Sequence, residues 1–309
     1  MLVYHSILNA EVIASFGRHL LLRDPAGQVH KARPMGRSLD IVCGDQVQCA
    51  DGGTEVLVEA VLPRRTQLRR SSLRGRSETL AANLTQLAVM LAPLPLPDLF
   101  MVDRYISAAE CAGLRVLIIL NKDDLPVPPE LAEGLAQYTR LGYEVLALST
   151  HMNPQLPAAL AQALRDQTTV LAGQSGVGKS SLTRMLTADA APIAIGALLR
   201  DEEGRHTTTA SRLYECSLGG RVIDSPGVRD FAPAIDDLER KALGFREIEQ
   251  LAGQCRFQDC GHIQEPKCAV REAVTAGTIG TRRYESYRRL RRLHEQLWSQ
   301  RTPGDQARR

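Results

Sequence analysis

The sequence predicts a multidomain α/β chain, and three observations predict it. Residues 1–62 break into short alternating runs separated by turn signals. From Leu80 to Ile223, apolar runs of strand length alternate with segments of helical period. Beyond these, three cysteines and a histidine fall within 14 residues. A length of 309 residues is enough for two or three domains, each with its own core. The 44% hydrophobic and 24% charged shares are those of an ordinary globular protein, and a net charge of +3 does not by itself call for a polyanionic partner.

The first region reads as strands at Glu11-Val12-Ile13-Ala14, His19-Leu20-Leu21-Leu22, Gln28-Val29-His30-Lys31, Gln46-Val47-Gln48-Cys49 and Glu55-Val56-Leu57-Val58. Asp24-Pro25-Ala26-Gly27, Gly44-Asp45 and Asp51-Gly52-Gly53 supply turns between them. Five short strands in so few residues suggest a closed barrel, and an OB-fold is the natural form. Such barrels bind single-stranded nucleic acid or serve as protein-docking modules, and both readings stand. Next, residues 64–76 hold six arginines and no acid. A run of this kind is a solvated linker or, beside a nucleic-acid barrel, an arm that touches phosphates. The expected division is a barrel at 1–65, a basic linker at 66–79, a nucleotide domain at 80–240 and a tail at 241–309.

In the middle region Leu87–Ala92, Val116–Leu120, Val145–Leu148 and Thr168–Ala172 read as buried strands. Asp98–Ala112, Glu130–Tyr138 and Pro157–Arg165 read as helices between them, and further strands fall near 211–216 and 221–223. This order implies a mostly parallel sheet covered on both faces, with ligand loops at the strand C-termini. Gly173-Gln174-Ser175-Gly176-Val177-Gly178-Lys179-Ser180 has the GxxxxGK[ST] spacing of a phosphate-binding loop, set between a strand and a helical pattern. Its glycines let the backbone approach phosphate, and its N–H groups and the helix N-terminus offer positive potential. Lys179 brings a charge to the β- and γ-phosphates, and the Ser180 hydroxyl suits Mg²⁺. The chain therefore binds a nucleoside triphosphate.

Asn121-Lys122-Asp123-Asp124 ends an apolar strand and fits NKxD. The Asp124 carboxylate accepts both the N1–H and N2–H₂ donors of guanine, whereas adenine presents an acceptor there and leaves buried groups unpaired. Ser149, ending the next strand, is the candidate for a second base-contacting loop. Asp224-Ser225-Pro226-Gly227 fits DxxG, with Asp224 toward the Mg²⁺ shell and the Gly227 N–H toward the γ-phosphate. Thr207, Thr208 and Thr209 lie where a switch threonine ligates Mg²⁺, and Thr208 is taken as that ligand.

The order of these motifs is inverted relative to an ordinary GTPase, since Asn121–Asp124 and Ser149 precede Gly173. In that order, and in Phe16-Gly17-Arg18-His19, Gly44-Asp45-Gln46-Val47, Asp103-Arg104-Tyr105, Gly173–Ser181 and Gly204-Arg205-His206-Thr207-Thr208, the chain resembles the circularly permuted GTPases of the ribosome small subunit-dependent GTPase A (RsgA) family. It departs after Ser149, where the family has a Gly-containing loop and this sequence has none. The resemblance covers nearly the whole chain. It implies hydrolysis of GTP to GDP and phosphate in late maturation of the small (30S) ribosomal subunit, with 16S rRNA and neighbouring proteins as partners.

After the switch, Cys255-x4-Cys260-x-His262-x5-Cys268 offers a complete tetrahedral set for structural Zn²⁺. A segment this short and polar buries little core, so a metal would supply much of its folding energy. Cys43, Cys49, Cys111 and Cys216 are scattered, as reduced cysteines are. Residues 280–298 read as a helix with Tyr284, Tyr287, Leu290, Leu293 and Leu297 on one face. Arg282, Arg283, Arg288, Arg289, Arg291 and Arg292 are assigned to the other, as a solvated basic face or a contact for rRNA phosphates.

The glutamine that usually follows DxxG to orient water is replaced by Val228. Hydrolysis is therefore expected to be slow in the free protein and faster with a partner; His206 is the candidate catalytic residue for the water, alongside Lys179 and Thr208. Two rival readings are a P-loop ATPase and a non-catalytic RNA-binding chaperone with a structural nucleotide. No secretory signal and no apolar run of membrane-spanning length is visible, so a cytoplasmic monomer is expected.

Overall fold

Alternation in the N-terminal region resolves into five strands, β1 (Leu8–Phe16), β2 (His19–Arg23), β3 (Val29–Pro34), β4 (Gln46–Asp51) and β5 (Val56–Val61). The structure, a computed structural model, describes residues 8–17, 19–36, 39–53, 55–71, 77–152, 156–187, 211–225, 233–235, 238 and 241–299. The strands pair in the order β1-β2-β3-β5-β4, with β3 and β5 parallel, and β4 returns to β1 to close the barrel. Alternate residues point inward, so Val12, Leu20, Leu22, Val47, Cys49 and Val58 form its small core. A register shift between Val12 and Ala14 re-aims the strand. Val12 remains in the barrel, while Ile13 and Ala14 join a second core outside it.

The described residues of the basic region expected as a linker form two paired strands instead. Strand β6 (Gln67–Ser71) pairs antiparallel with β7 (Ser77–Ala82). Leu68, Leu80 and Ala81 anchor the hairpin in the central core, a role hidden by the density of arginine around them. Arg64 is not a free charge either. Its Nε donates to the buried carboxylate of Asp45 at 2.8 Å, and Arg70 pairs with Glu78 at 2.8 Å.

The central sheet contains β8 (Gln86–Leu91), β9 (Arg115–Asn121), β10 (Glu144–Leu148), β11 (Thr168–Ala172), β12 (Ser211–Glu215) and β13 (Arg221–Asp224). Their order is β10-β9-β8-β11-β13-β12, parallel throughout except for β12. Helices α1 (Leu99–Cys111), α2 (Pro129–Arg140), α3 (Ala158–Leu164) and α4 (Lys179–Thr187) cover the sheet. Leu87, Val89, Val116 and Ile118 pack with α1 and α2 residues such as Ile106 and Tyr138. Ala88, Met90, Leu117 and Ile119 pack with Leu160 of α3 and Leu182 of α4. Both faces of β8, β9 and β11 are buried, which is why these three runs are apolar without alternation. The Asp98 carboxylate caps α1 by accepting from the Phe100 N–H at 2.9 Å.

The tail contributes α5 (Arg246–Ala252), α6 (Ala269–Thr275) and α7 (Thr281–Ser299). Tyr284, Tyr287 and Leu290 are buried with Phe245 and Ile248, as the helical spacing predicts. The arginine face differs from the expectation. Arg283 is 1% exposed and donates to Asp103 at 2.7 Å and to Glu247 at 2.8 and 3.1 Å. Arg282 reaches Asp103 and Gln137, Arg288 pairs with Glu285, and Arg291 pairs with Glu295. Only Arg289 and Arg292 of the six are exposed, and Arg289 lies over the Phe100 ring at 3.8 Å. Arg282 and Arg283 therefore fasten α7 to α1, α2 and α5, while Arg288 and Arg291 pair within α7 itself. Two arginines and two carboxylates balance each other in that joint, which makes the burial tolerable. No helix among the described residues is long and apolar enough to cross a membrane.

Candidate functional site

The phosphate loop leaves β11 at Gly173 and enters α4 at Lys179. Two glycines are required by close approach. A Cβ on Gly173 would lie 2.3 Å from the Met90 carbonyl oxygen, and one on Gly178 would lie 2.1 Å from Asn121 Nδ2. Both also have positive φ, +142° and +102°. The buried Lys179 curls across the loop, its Nζ donating to the carbonyls of Gly173 at 2.6 Å and Gln174 at 2.8 Å. Its charge thus sits at the loop mouth, beside exposed Gln174, Ser175, Gly176 and Ser180. Val177 is buried beneath the loop, and Ser181 is half-buried.

The NKxD segment follows β9. Fully buried Asn121 does not project toward a base; its Nδ2 donates to the Val177 carbonyl at 2.8 Å and to Thr150 Oγ1 at 3.2 Å, while its Oδ1 accepts from the Thr150 N–H at 3.0 Å. One side chain therefore ties the phosphate loop to the segments that follow β9 and β10. Lys122 takes a left-handed φ of 60° and its Nζ donates to the Leu94 carbonyl at 2.7 Å. The Asp123 N–H donates to the Leu148 carbonyl at 3.2 Å, extending the β9–β10 pairing, and the Asp123 and Asp124 side chains stand exposed. Ser149 is buried, and its hydroxyl accepts from the N–H groups of His151 and Met152 at 3.4 and 3.1 Å. That turn occupies the place where a glycine is absent. Thr150 was not foreseen, since its partners lie far away in the chain.

Asp224 ends β13, and the next residue, buried Ser225, exchanges a 2.7 Å hydroxyl hydrogen bond with Ser211 of β12. Gly227, His206, Thr207, Thr208 and Thr209 lie outside the described residues, as does Val228.

The four candidate metal ligands come together. The ligand atoms of Cys255, Cys260, His262 and Cys268 all lie within 4.8 Å of one another. Tetrahedral Zn²⁺ with Zn–S of about 2.3 Å and Zn–N of about 2.0 Å would separate S and N by about 3.5 Å and two S atoms by about 3.8 Å. His262 Nδ1 lies 3.5 Å from both Cys255 Sγ and Cys268 Sγ, and those sulfurs are 3.9 Å apart. The donor set and its spacing therefore fit a closed metal site. Burial pushes the Cys260 thiol up to about 12 and raises that of Cys268, and it lowers the His262 imidazole. The surroundings hold the loop in shape. The Tyr284 hydroxyl donates to the His262 carbonyl at 2.6 Å, and the Tyr287 hydroxyl donates to that of Gly261 at 3.1 Å. Burial opposes the Glu265 charge, yet backbone N–H groups including those of Gly261, Gln264 and Ile263 outweigh it and bring the carboxyl down to about 2.

A phosphate loop after β11, an NKxD loop after β9 and a DxxG start after β13 meet at one end of a parallel sheet whose motifs run in rotated order. This is the architecture of a circularly permuted P-loop GTPase. The family model described as RsgA GTPase matches residues 61–233. A small ribosomal subunit biogenesis GTPase RsgA of Chromohalobacter salexigens is 41% identical over 288 residues, covering 90% of this chain and 84% of that protein. Its counterpart in Nitrosomonas europaea is 38% identical, covering 92% and 90%. The crystal structure of YjeQ from Thermotoga maritima superposes with a TM-score of 0.72 at 27% identity, covering 96% of this chain and all of that one. The chain belongs to the RsgA GTPase family.

Proposed function

We propose that this chain hydrolyses GTP to GDP and phosphate during late maturation of the small ribosomal subunit, slowly alone and faster on the subunit. The observation that carries the nucleotide half is the Asn121 side chain, which bonds Val177 and Thr150 and so makes the phosphate loop and base loops one site. The ribosomal half is supported by the relatives, which are named for biogenesis of that subunit. Asp124 reads the guanine donors, and Asn121, Lys122, Asp123 and Ser149 set its loop. Residues Gly173 to Ser181 cradle the phosphates, and Lys179 neutralises charge that grows on them in the transition state. Mg²⁺ entering with GTP would neutralise phosphate charge, and Ser180, Asp224 and Thr208 offer the oxygen donors that a hard cation takes. Gly227 directs its N–H toward the γ-phosphate. His206 orients the water that Val228 has no polar group to hold.

In the same reading Zn²⁺ at Cys255, Cys260, His262 and Cys268 is structural, since the four residues leave no open position. The barrel (1–65) and the tail (241–309) flank the GTPase unit (80–240), with the hairpin between the first and last of these. Barrel and tail together grip 16S rRNA and neighbouring proteins in the GTP state and release them after hydrolysis, as a cytoplasmic monomer. Turnover with and without purified small subunits tests this. The expected gain lies within the roughly 10³–10⁵ that a supplied transition-state group provides; equal rates in the two conditions would contradict it.

A further inference from the structure

The amide that joins the phosphate loop to the NKxD segment is itself held by a single residue. Asn121 is fully buried, so both hydrogens of its Nδ2 need acceptors inside the protein. The Val177 carbonyl of the phosphate loop lies 2.8 Å away, and Thr150 Oγ1 lies 3.2 Å away. The Asn121 Oδ1 accepts from the Thr150 N–H at 3.0 Å. Thr150 therefore meets both ends of the amide, its hydroxyl at the donor end and its backbone at the acceptor end. A primary amide gripped at both ends keeps one orientation, and here it is the orientation that reaches Val177.

The fold places Thr150 for this task. In the β9–β10 ladder Leu148 is the partner of Asn121, and Thr150 stands two residues further on. The Ser149 hydroxyl accepts from the N–H groups of His151 and Met152 and so turns the chain around Thr150. Gly178 makes the room. A Cβ there would lie 2.1 Å from Asn121 Nδ2 and 3.6 Å from Thr150 Oγ1. The last glycine of the phosphate loop, the amide and the hydroxyl are thus packed together.

We propose that Thr150 is a positioning residue for nucleotide binding: it fixes the Asn121 amide so that the phosphate loop keeps the form that receives the phosphates. This rests on the reading that Gly173–Ser181 and Asn121–Asp124 hold one GTP molecule. Thr150 acts through Asn121 and not on the nucleotide. Without its hydroxyl, one Nδ2 hydrogen is buried unpaired, and the amide gains reason to turn away from Val177. The unliganded chain then populates forms in which the phosphate loop is untied, and nucleotide binding must first restore the tie. Apparent affinity falls by the fraction of chains still in the competent form. Chemistry on nucleotide already bound is spared, because the restored site is the same.

The test compares the full wild-type chain with Thr150→Val, which keeps the shape and loses the hydroxyl, and Thr150→Ser, which keeps the hydroxyl. Each is titrated with fluorescent analogues of GTP and GDP, assayed for kcat and KM of GTP with purified small subunits, and heated for its thermal midpoint. Thr150→Val is expected to weaken both analogues about 10-fold and to raise KM in proportion, with kcat at saturating GTP within about twofold of wild type. Thr150→Ser restores most of the affinity. Wild-type affinity in Thr150→Val overturns the role, whatever its midpoint, and so does a Thr150→Ser chain as weak as Thr150→Val. A fall in kcat with KM unchanged also overturns it, since the hydroxyl would then act in the chemical step. A wild-type chain that binds neither analogue would instead deny the reading on which the proposal rests.

Discussion

Asp124 is three residues from Asn121 in the chain, and Asn121 is hydrogen-bonded to Val177, two residues before Lys179. The NKxD segment and the phosphate loop are thereby joined through one buried amide. The chemistry of Asp124 makes a directional prediction. Asparagine in its place offers one acceptor and one donor, which suits the N1–H and C2 carbonyl of xanthine rather than the two donors of guanine. Asp124→Asn is expected to weaken GTP binding by about 1–3 kcal/mol per mismatched group and to favour xanthosine triphosphate, as read by nucleotide titration. The NKxD and GxxxxGK[ST] segments were legible because each is a local string of residues. Thr150 and the Ser211–Ser225 hydroxyl pair were not, because each depends on loops brought together only by the folded sheet.

Helix α7 shows the same division at the scale of an element. Its apolar spacing located Tyr284, Tyr287 and Leu290 correctly, since burial follows helical period. The arginines were misread as a free basic face because their partners, Asp103 and Glu247, lie on α1 and α5. Removing Arg283 leaves two carboxylates buried without their shared cation. Arg283→Ala is therefore expected to cost about 3–5 kcal/mol in denaturant unfolding. Arg292→Ala, at an exposed position, should stay within about 0.5 kcal/mol. The metal cluster was legible from spacing alone, and its geometry matches a tetrahedron. Chelation should lower the thermal midpoint and expose residues 255–268 to protease, and Cys260→Ser should reproduce both effects without a chelator. A midpoint indifferent to chelation would remove the metal from the structural role.

Across the whole molecule, the barrel and the nucleotide domain share one hydrogen-bonded sheet. Ala14 and Ser15 of β1 pair with Arg212 and Ser211 of β12. Beside that seam, Glu11 accepts from Arg23 at 2.8 Å and from Arg221 at 2.7 Å, and Arg23 also reaches Glu215 at 2.7 Å. The tail is joined just as firmly through Arg283. Two domains were legible as separate patterns, but the seam was not, since β1 reads as an ordinary barrel strand until its register shift turns Ile13 and Ala14 outward. Glu11→Ala should loosen the seam, costing about 1–3 kcal/mol and speeding amide exchange at β1 and β12 ahead of the β8–β9 core. Uniform exchange across both regions would show that the seam is not held by this carboxylate.

The central claim is that a rotated chain order still builds one guanine nucleotide site from Asp124 at one end and Lys179 at the other. Calorimetric titration of a non-hydrolysable GTP analogue into wild type, Lys179→Ala and Asp124→Ala tests it most directly. One site per chain, resistant to competing ATP and lost or greatly weakened in both variants, is the predicted result. Full affinity in either variant, or displacement by ATP as effective as by GTP, would contradict it.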